Sequence, residues 1–475
     1  MAKFNLRALG KNQTVNREGY AAYRMDDDTK LVTMVLTSAF GEPKYYGNTS
    51  GEIISLAEKT DMGFVARLAV YARREMHLRS VAHALCAVVA RHGRAYTRPA
   101  VAGVIQRADD ITEILGAYLS LYGKPIPNGL KKALADALNR FDEYAFSKYK
   151  GERNALKMRD VLCLVHPKPK DAAQGALFHK ILNGSLETPY TWETRLSHKG
   201  NTREVWEELI QSGQVGYMAL LRNLRNILMV TPANADLALN RIADREAVLT
   251  SKQLPFRFYA AYQALRTAGL CSTKVADALE RAVAHSVENM EMLPGKTLLA
   301  IDVSGSMDDV LSKNGDMRYC DIARLLAVLS ARICEDAVAV AFDTDLYPLA
   351  VSTTGGVLAQ ADAIPINGGG TDIRLPFQWA LDHHRYFDRI ILLSDNQSNR
   401  GCQDDPCQRI ADAYRRMVNP HLFVHAIDLQ GYGTQQFIGR NTNIIAGWSE
   451  KVLPFIQQAE KGLESMTQAI QEYTI

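Results

Sequence analysis

The chain reads as two parts of different class, an all-α helical solenoid over residues 1–294 and an α/β doubly wound domain over residues 295–475. Three observations predict this. Residues 1–294 carry long helical patterns separated by short Gly/Pro breakers, with almost no strand-like alternation. From about residue 295 apolar runs of strand length alternate with helical stretches, as in a parallel sheet wrapped by helices. One of those runs, Leu298-Leu299-Ala300-Ile301, ends in Asp302, Ser304 and Ser306. This D-x-S-x-S pattern falls just past the carboxyl end of a buried strand, where open α/β sheets bind ligands.

In the first part, Phe64, Leu68 and Tyr71, with Val65, Ala69 and Ala72 filling the same stripe, show the 3, 4 and 7 spacing of an amphipathic helix. Breakers such as Gly123-Lys124-Pro125-Ile126-Pro127 and His166-Pro167-Lys168-Pro169 divide such helices. Helix after helix with short loops predicts an α-solenoid or irregular bundle, and no fixed period names the repeat type. In the second part, strands are predicted at 297–302, 336–342, 389–394, 421–427 and 443–446. Helices are predicted at about 318–334, 373–385 and 404–418, with one closing amphipathic helix over 449–474.

A chain of 475 residues exceeds one ordinary core, so at least two domains are expected. The net charge of +3 hides an asymmetry: residues 1–294 hold 40 Lys and Arg against 30 acids, and residues 295–475 hold 15 against 22. A basic half suggests a polyanion partner. The seven cysteines are scattered and mostly in apolar segments, which reads as reduced core thiols. Cys402 and Cys407 are the one close pair, without His or further Cys at zinc-ligand spacing. The amino terminus has no apolar signal region and no window approaches a membrane span, so a cytoplasmic protein without a membrane partner is expected.

The chemistry concentrates on oxygen ligands. Asp302, Ser304 and Ser306 can converge on one hard cation; Gly368-Gly369-Gly370-Thr371-Asp372 is a tight loop that can present a hydroxyl; and Arg389–Ser394 is a second buried strand followed by Asp395. Together they supply the partly hydrated, oxygen-only set that Mg2+ prefers and Mn2+ accepts. The bland reading is helix capping, since Ser and Asp after a strand often do only that. A haloacid-dehalogenase-type phosphatase also puts an Asp after its first strand, but needs a second carboxylate two residues on, where this chain has Ser304.

In order and context the set Asp302, Ser304, Ser306, Thr371, Asp395 resembles the metal-ion-dependent adhesion site of von Willebrand factor type A domains. The helical part has its own resemblance. Leu68 to Glu75 with Leu78-Arg79-Ser80, Met218 to Arg225, and Leu254 to Arg257 are similar to the TROVE module of the Ro autoantigen family, in which a type A domain follows the helices. That resemblance implies a HEAT-like helical ring closed by the type A domain. It implies a non-catalytic RNA-binding protein for Y RNA-like small noncoding RNAs and for single-stranded ends of misfolded RNA, acting in RNA quality control or processing. An exoribonuclease such as polynucleotide phosphorylase is the implied protein partner, and DNA is not expected.

The densest basic stretch, residues 124–170, has eleven Lys and Arg against five acids, a composition suited to salt-sensitive phosphate contacts. Within it Lys148, Lys150 and Arg153, then His166, Lys168 and Lys170, match the family's RNA contact segment, with one residue more between the basic cluster and the histidine. His166 can stack on or hydrogen-bond a base. Arg79, with Arg73, Arg74 and His83, is a further candidate for an RNA-facing surface, while Arg222 and Arg225 are placed to pair with Glu207 or Glu208. Two alternatives stay open: a metal-dependent protein-adhesion scaffold without direct RNA function, and a metal-dependent phosphoesterase, which lacks a second metal or a placed base.

Overall fold

The computed structural model describes residues 13–38, 48–148, 156–253, 255–288, 290–311, 317–401, 407–447, 452–461 and 465–475. Helices occupy most of the chain from Asn48 to Ser286, and the strand–helix alternation begins at Leu293. Contacts group the chain into two compact units, one of Met1–Ala39 with Asn201–Met466, the other of Phe40–Gly200 with Thr467–Ile475.

The second of these units is helical. Its helix Met62–Arg74 starts where the Asp61 carboxylate accepts the Phe64 amide at 2.9 Å, a side-chain N-cap. It buries the predicted stripe of Phe64, Val65, Leu68, Ala69 and Ala72. Full burial of each large aliphatic or aromatic side chain contributes roughly 1.5–3 kcal/mol. Ser80–His92 packs on that helix and on Asp109–Tyr122, which stops at Gly123. Gly123 takes φ 64°, a left-handed conformation that favours glycine. Tyr473, from the end of the chain, sets its ring edge-on to Tyr71 at 5.3 Å and donates to Glu75.

The other unit carries a six-stranded sheet in the order β5-β4-β3-β6-β7-β9. Its strands are β3 (Leu293–Asp302), β4 (Cys334–Phe342), β5 (Leu346–Leu349), β6 (Arg389–Ser394), β7 (Phe423–Asp428) and β9 (Thr442–Ala446). All neighbours are parallel except β5, which folds back antiparallel on β4. Leu298, Ala300, Ile390, Leu392, Val424 and Ala426 send one face of the sheet into a core with Phe377, Ala411 and Tyr414. The chain leaves β3 toward β4 on one side and returns to β6 on the other, so the topological switch point lies between β3 and β6. That is where Asp302 and Asp395 stand.

Several features differ from the sequence expectation, among them the short antiparallel β5 and a helix over Val357–Ala363, neither of which was expected. The closing helix is two, Val452–Glu460 and Met466–Gln471. A small sheet, absent from the sequence reading, joins β1 (Gln13–Val15), β2 (Ala21–Arg24) and β8 (Thr434–Gln435). The thiols are not all reduced: Cys86, Cys163, Cys271, Cys320 and Cys334 are free, but Cys407 is in a disulfide. Among the described residues no helix is long and apolar enough to cross a membrane.

Candidate metal centre and RNA-contacting surface

β3 ends in Asp302, whose side chain is wholly buried. One carboxylate oxygen accepts the Ser304 amide at 2.9 Å and the other accepts the Ser394 hydroxyl at 2.5 Å. Ser304 and Ser306 hold their hydroxyls 3.4 Å apart. The loop carrying Thr371 is tied to this turn from both sides. The Gly305 amide donates to the Gly369 carbonyl at 3.0 Å and the Gly368 amide to the Val303 carbonyl at 3.1 Å. Asn399 accepts the Thr371 amide at 2.7 Å, while the Thr371 carbonyl accepts the Asn399 and Arg400 amides and the Ser398 hydroxyl. Glycine is required in this loop: a Cβ on Gly369 would lie 2.8 Å from the Asp343 carboxylate, and one on Gly370 2.7 Å from the Asn399 side-chain oxygen.

Asp395 follows β6 and is also wholly buried. One of its oxygens accepts the Gln397 amide at 3.0 Å, and the other is buried without a hydrogen-bond partner within bonding geometry. Burial and the neighbouring Asp395 charge push the Asp302 carboxyl up to about 7, and burial raises Asp395 as well, against the Ser306 hydroxyl that stabilises its charge. Two buried acids, a carboxylate oxygen without a partner and the Ser304 and Ser306 hydroxyls, with the Thr371 loop tied against them through its backbone, form a donor set suited to a hard divalent cation. The residues present fit that ion, although among the described residues no three His, Cys, Asp or Glu gather closely enough to chelate a metal alone. Hydroxyl and solvent oxygens have to complete the shell. Ser306 is partly exposed and Gly305 and Gly368 are exposed, which leaves solvent a way in.

Several neighbours were not legible as site residues. Ser394 orients Asp302, and Asp428, wholly buried at the end of β7, is pushed up to about 7 by burial and by Asp395. The turn between β1 and β2 docks on the same loops: the Asn16 side-chain amide donates to the Ser398 carbonyl at 2.6 Å and the Arg17 backbone amide to the Gln397 side-chain oxygen at 2.9 Å. Arg17 also stacks 4.7 Å over Tyr432, whose hydroxyl donates to Gln430, and Gln430 donates to the Ser306 carbonyl at 2.8 Å.

The basic residues of the helical unit divide into two groups. Lys148 ends the helix Glu143–Lys148, exposed, with its ammonium 5.7 Å from the exposed Tyr144 ring. Lys150 and Arg153 lie outside the described residues. His166 caps the helix Met158–Val165 in a left-handed conformation, φ 47°, and is exposed, as are Lys168 and Lys170. Asn139 fixes this loop through its backbone alone, donating to the Lys168 carbonyl at 3.0 Å and accepting the Lys170 amide at 2.9 Å. The two lysine side chains are thereby displayed on an anchored loop.

Arg79 stands in different surroundings. It meets Asp110 at 2.7 Å and Asp109 at 2.7 Å, and its other neighbours Arg73 and His83 are buried against the same Asp110 at 3.2 and 3.0 Å. Asp110 further accepts the Gln106 and Arg107 amides, and these partners hold its carboxyl far below the usual carboxylate range against the cost of burial. Arg222 and Arg225 are exposed, and Glu207 pairs with Arg203 at 2.8 Å instead.

Comparison with known proteins adds three findings. The TROVE domain model matches residues 49–184 and 182–274, and the Ro60 vWA domain model matches residues 296–458. The chain is 27% identical over 301 residues to "RNA-binding protein RO60" of Deinococcus radiodurans, covering 54% of this chain and 56% of that protein. It is 25% identical over 304 residues to "Telomerase protein component 1" of Rattus norvegicus, covering 45% of this chain. The chain thus spans 56% of the first relative's length and 11% of the second's. The crystal structure of the Deinococcus radiodurans Ro protein superposes with a TM-score of 0.64 at 20% identity, covering 91% of this chain and 99% of that one, which establishes a shared fold.

Proposed function

The chain belongs to the Ro family, a TROVE domain followed by a Ro60 vWA domain, and on that premise we propose that it is a non-catalytic RNA-binding protein. It binds Y RNA-like small noncoding RNAs and single-stranded ends of misfolded RNA, and serves RNA quality control or processing. The observation that carries this reading is the anchored basic loop. Asn139 bonds the backbone of Lys168 and Lys170, leaving their two ammonium groups and His166 facing solvent. Rigid presentation lowers the ordering cost of phosphate contacts, and His166 adds a ring that can stack on an unpaired base. The Deinococcus radiodurans relative, named an RNA-binding protein, supports the same reading.

Asp302, Ser304, Ser306, Thr371 and Asp395 hold a divalent cation, Mg2+ or Mn2+, in this proposal. The cation relieves repulsion between two buried acids and offers a hard Lewis-acid position to an oxygen ligand. An exoribonuclease of the polynucleotide phosphorylase type is the proposed protein partner, and the cytoplasm the proposed setting. The second reading, a metal-dependent adhesion scaffold without RNA function, draws on the solvent access at Gly305 and Ser306. Sequencing of RNA crosslinked to the protein in cells separates the two. Enrichment of a few small structured RNAs is expected; recovery of only bulk RNA in proportion to abundance would favour the scaffold.

A further inference from the structure

Residues 295–475 hold 15 Lys and Arg against 22 acids, yet one edge of the α/β unit is basic. The helix ends and loops that lead into β6, β7 and β9, at the amino edge of the sheet and away from Asp302, expose His383, His384, Arg385, Arg416, His421 and Arg440. The acids on these segments are occupied. Asp388 accepts the Tyr386 hydroxyl and the Lys296 amide, Asp382 accepts the Gln378 side-chain amide, and Asp412 meets Gln408 and Arg415. Among the described residues Arg385, Arg416 and Arg440 form no ion pair.

The segments are stitched to one another by buried side chains. The Tyr414 hydroxyl donates to the Arg385 carbonyl at 2.6 Å and accepts the Phe387 amide at 2.9 Å. Asn419 donates to the Phe387 carbonyl at 2.8 Å and accepts the His421 amide at 2.9 Å, and the exposed Asn441 side chain donates to the His421 carbonyl at 3.1 Å. Neighbouring strands lie about 4.8 Å apart, so the entries to β6, β7 and β9 span roughly 10 Å. His384 takes φ 49° at the end of the helix Leu375–Asp382 and turns the chain back, with the Arg385 amide on the Ala380 carbonyl at 2.9 Å. The Arg385 guanidinium then lies 5.3 Å from the centre of the half-buried Trp379 ring, the His383 ring lies 5.2 Å from it, and Tyr386 is 48% exposed. Planar groups held in place beside guanidinium groups without acidic partners suit unpaired bases and their phosphates.

We propose that this amino edge is a second RNA-contacting surface, which takes single-stranded RNA. Arg385, backed by Trp379, and Tyr386 stack on bases, and Arg416 and Arg440 meet phosphates. The proposal rests on the RNA reading above only for its ligand class, since it shares no residue with the loop 166–170.

Photocrosslinking of the full chain to a 5-bromouridine-substituted oligouridine of ~12 nucleotides, with adducts located by mass spectrometry, tests it. Adducts at Trp379 or Tyr386 are expected, and they should persist in the double variant Lys168→Glu, Lys170→Glu. In that background, fluorescence anisotropy against salt should show Arg416→Glu with Arg440→Glu binding at least tenfold more weakly, with a salt slope lower by about 1–2. Tyr386→Ala should weaken binding about fivefold or more at an unchanged slope. The adduct map needs no surface variant, so a variant that fails to fold does not remove the test. Adducts confined to residues 148–170 overturn the amino-edge surface and leave the helical contacts standing. Adducts at the amino edge alone keep it and count against the helical loop as a single-strand site, and an absence of adducts at both overturns both. Displacement of the oligouridine by an oligoglutamate peptide of equal charge at equal concentration would make the edge a surface for an acidic protein and overturn the RNA assignment.

Discussion

Single residues decide how the charge of each unit is spent. Asp110 gathers Arg73, Arg79, His83 and two backbone amides, so three groups that a surface count assigns to the basic face are tied to one buried carboxylate. Removing one partner of a buried network strands the others; Asp110→Asn should therefore destabilise the protein by about 3–5 kcal/mol in urea unfolding. The same cluster sets a pH response. Burial lowers the His83 pKa below its ordinary 6.5 despite the Asp110 charge, so the unfolded chain takes up that proton more readily than the folded one. Stability should be full above that value and fall as the pH drops below it, with the lowered Asp110 adding its own loss at more acidic pH. His83→Gln should flatten the first phase, and an unchanged pH profile in that variant would contradict this assignment. Helical periodicity reports which face is apolar, not which charges are buried on it, and for that reason Asp110 escaped the sequence reading.

At the scale of elements, strand termini and loops make the sites. β3 and β6 were legible because long β-branched and leucine runs end in polar residues, and the order Asp302, Ser304, Ser306, Thr371, Asp395 followed from that. β5 was not, since it is four residues long and contains Pro348, and β1 and β2 are shorter than any pattern can register. Asp428 was passed over because the strand was read to end at 427, one residue early, which left its acid outside the alternation. On the helical unit the decisive element is the loop 166–170, whose geometry depends on Asn139, some thirty residues upstream in sequence. Asn139→Ala removes both backbone clamps while leaving every basic side chain in place. It should weaken RNA binding about threefold to tenfold through the cost of ordering the loop, with the salt slope unchanged. Filter binding at several salt concentrations measures both quantities, and an affinity equal to that of the parent would show that the loop needs no anchoring.

For the whole molecule, the charge asymmetry predicts a division of labour: structured RNA on the basic helical part and the cation on the acidic α/β part. The excess of ten positive charges over residues 1–294 is a composition that an adhesion platform does not require. The most direct test is the salt dependence of small structured RNA binding by the parent, by the triple Lys148→Glu, Lys150→Glu, Arg153→Glu variant, and by Asp302→Ala. Each phosphate contact adds about 0.7–0.9 to the slope of log K against log salt, so the triple variant should bind at least tenfold more weakly with a slope lower by about 2–3. Asp302→Ala should keep both the affinity and the slope of the parent while losing divalent cation. A triple variant that binds small RNA as tightly and with as steep a slope as the parent would contradict the account.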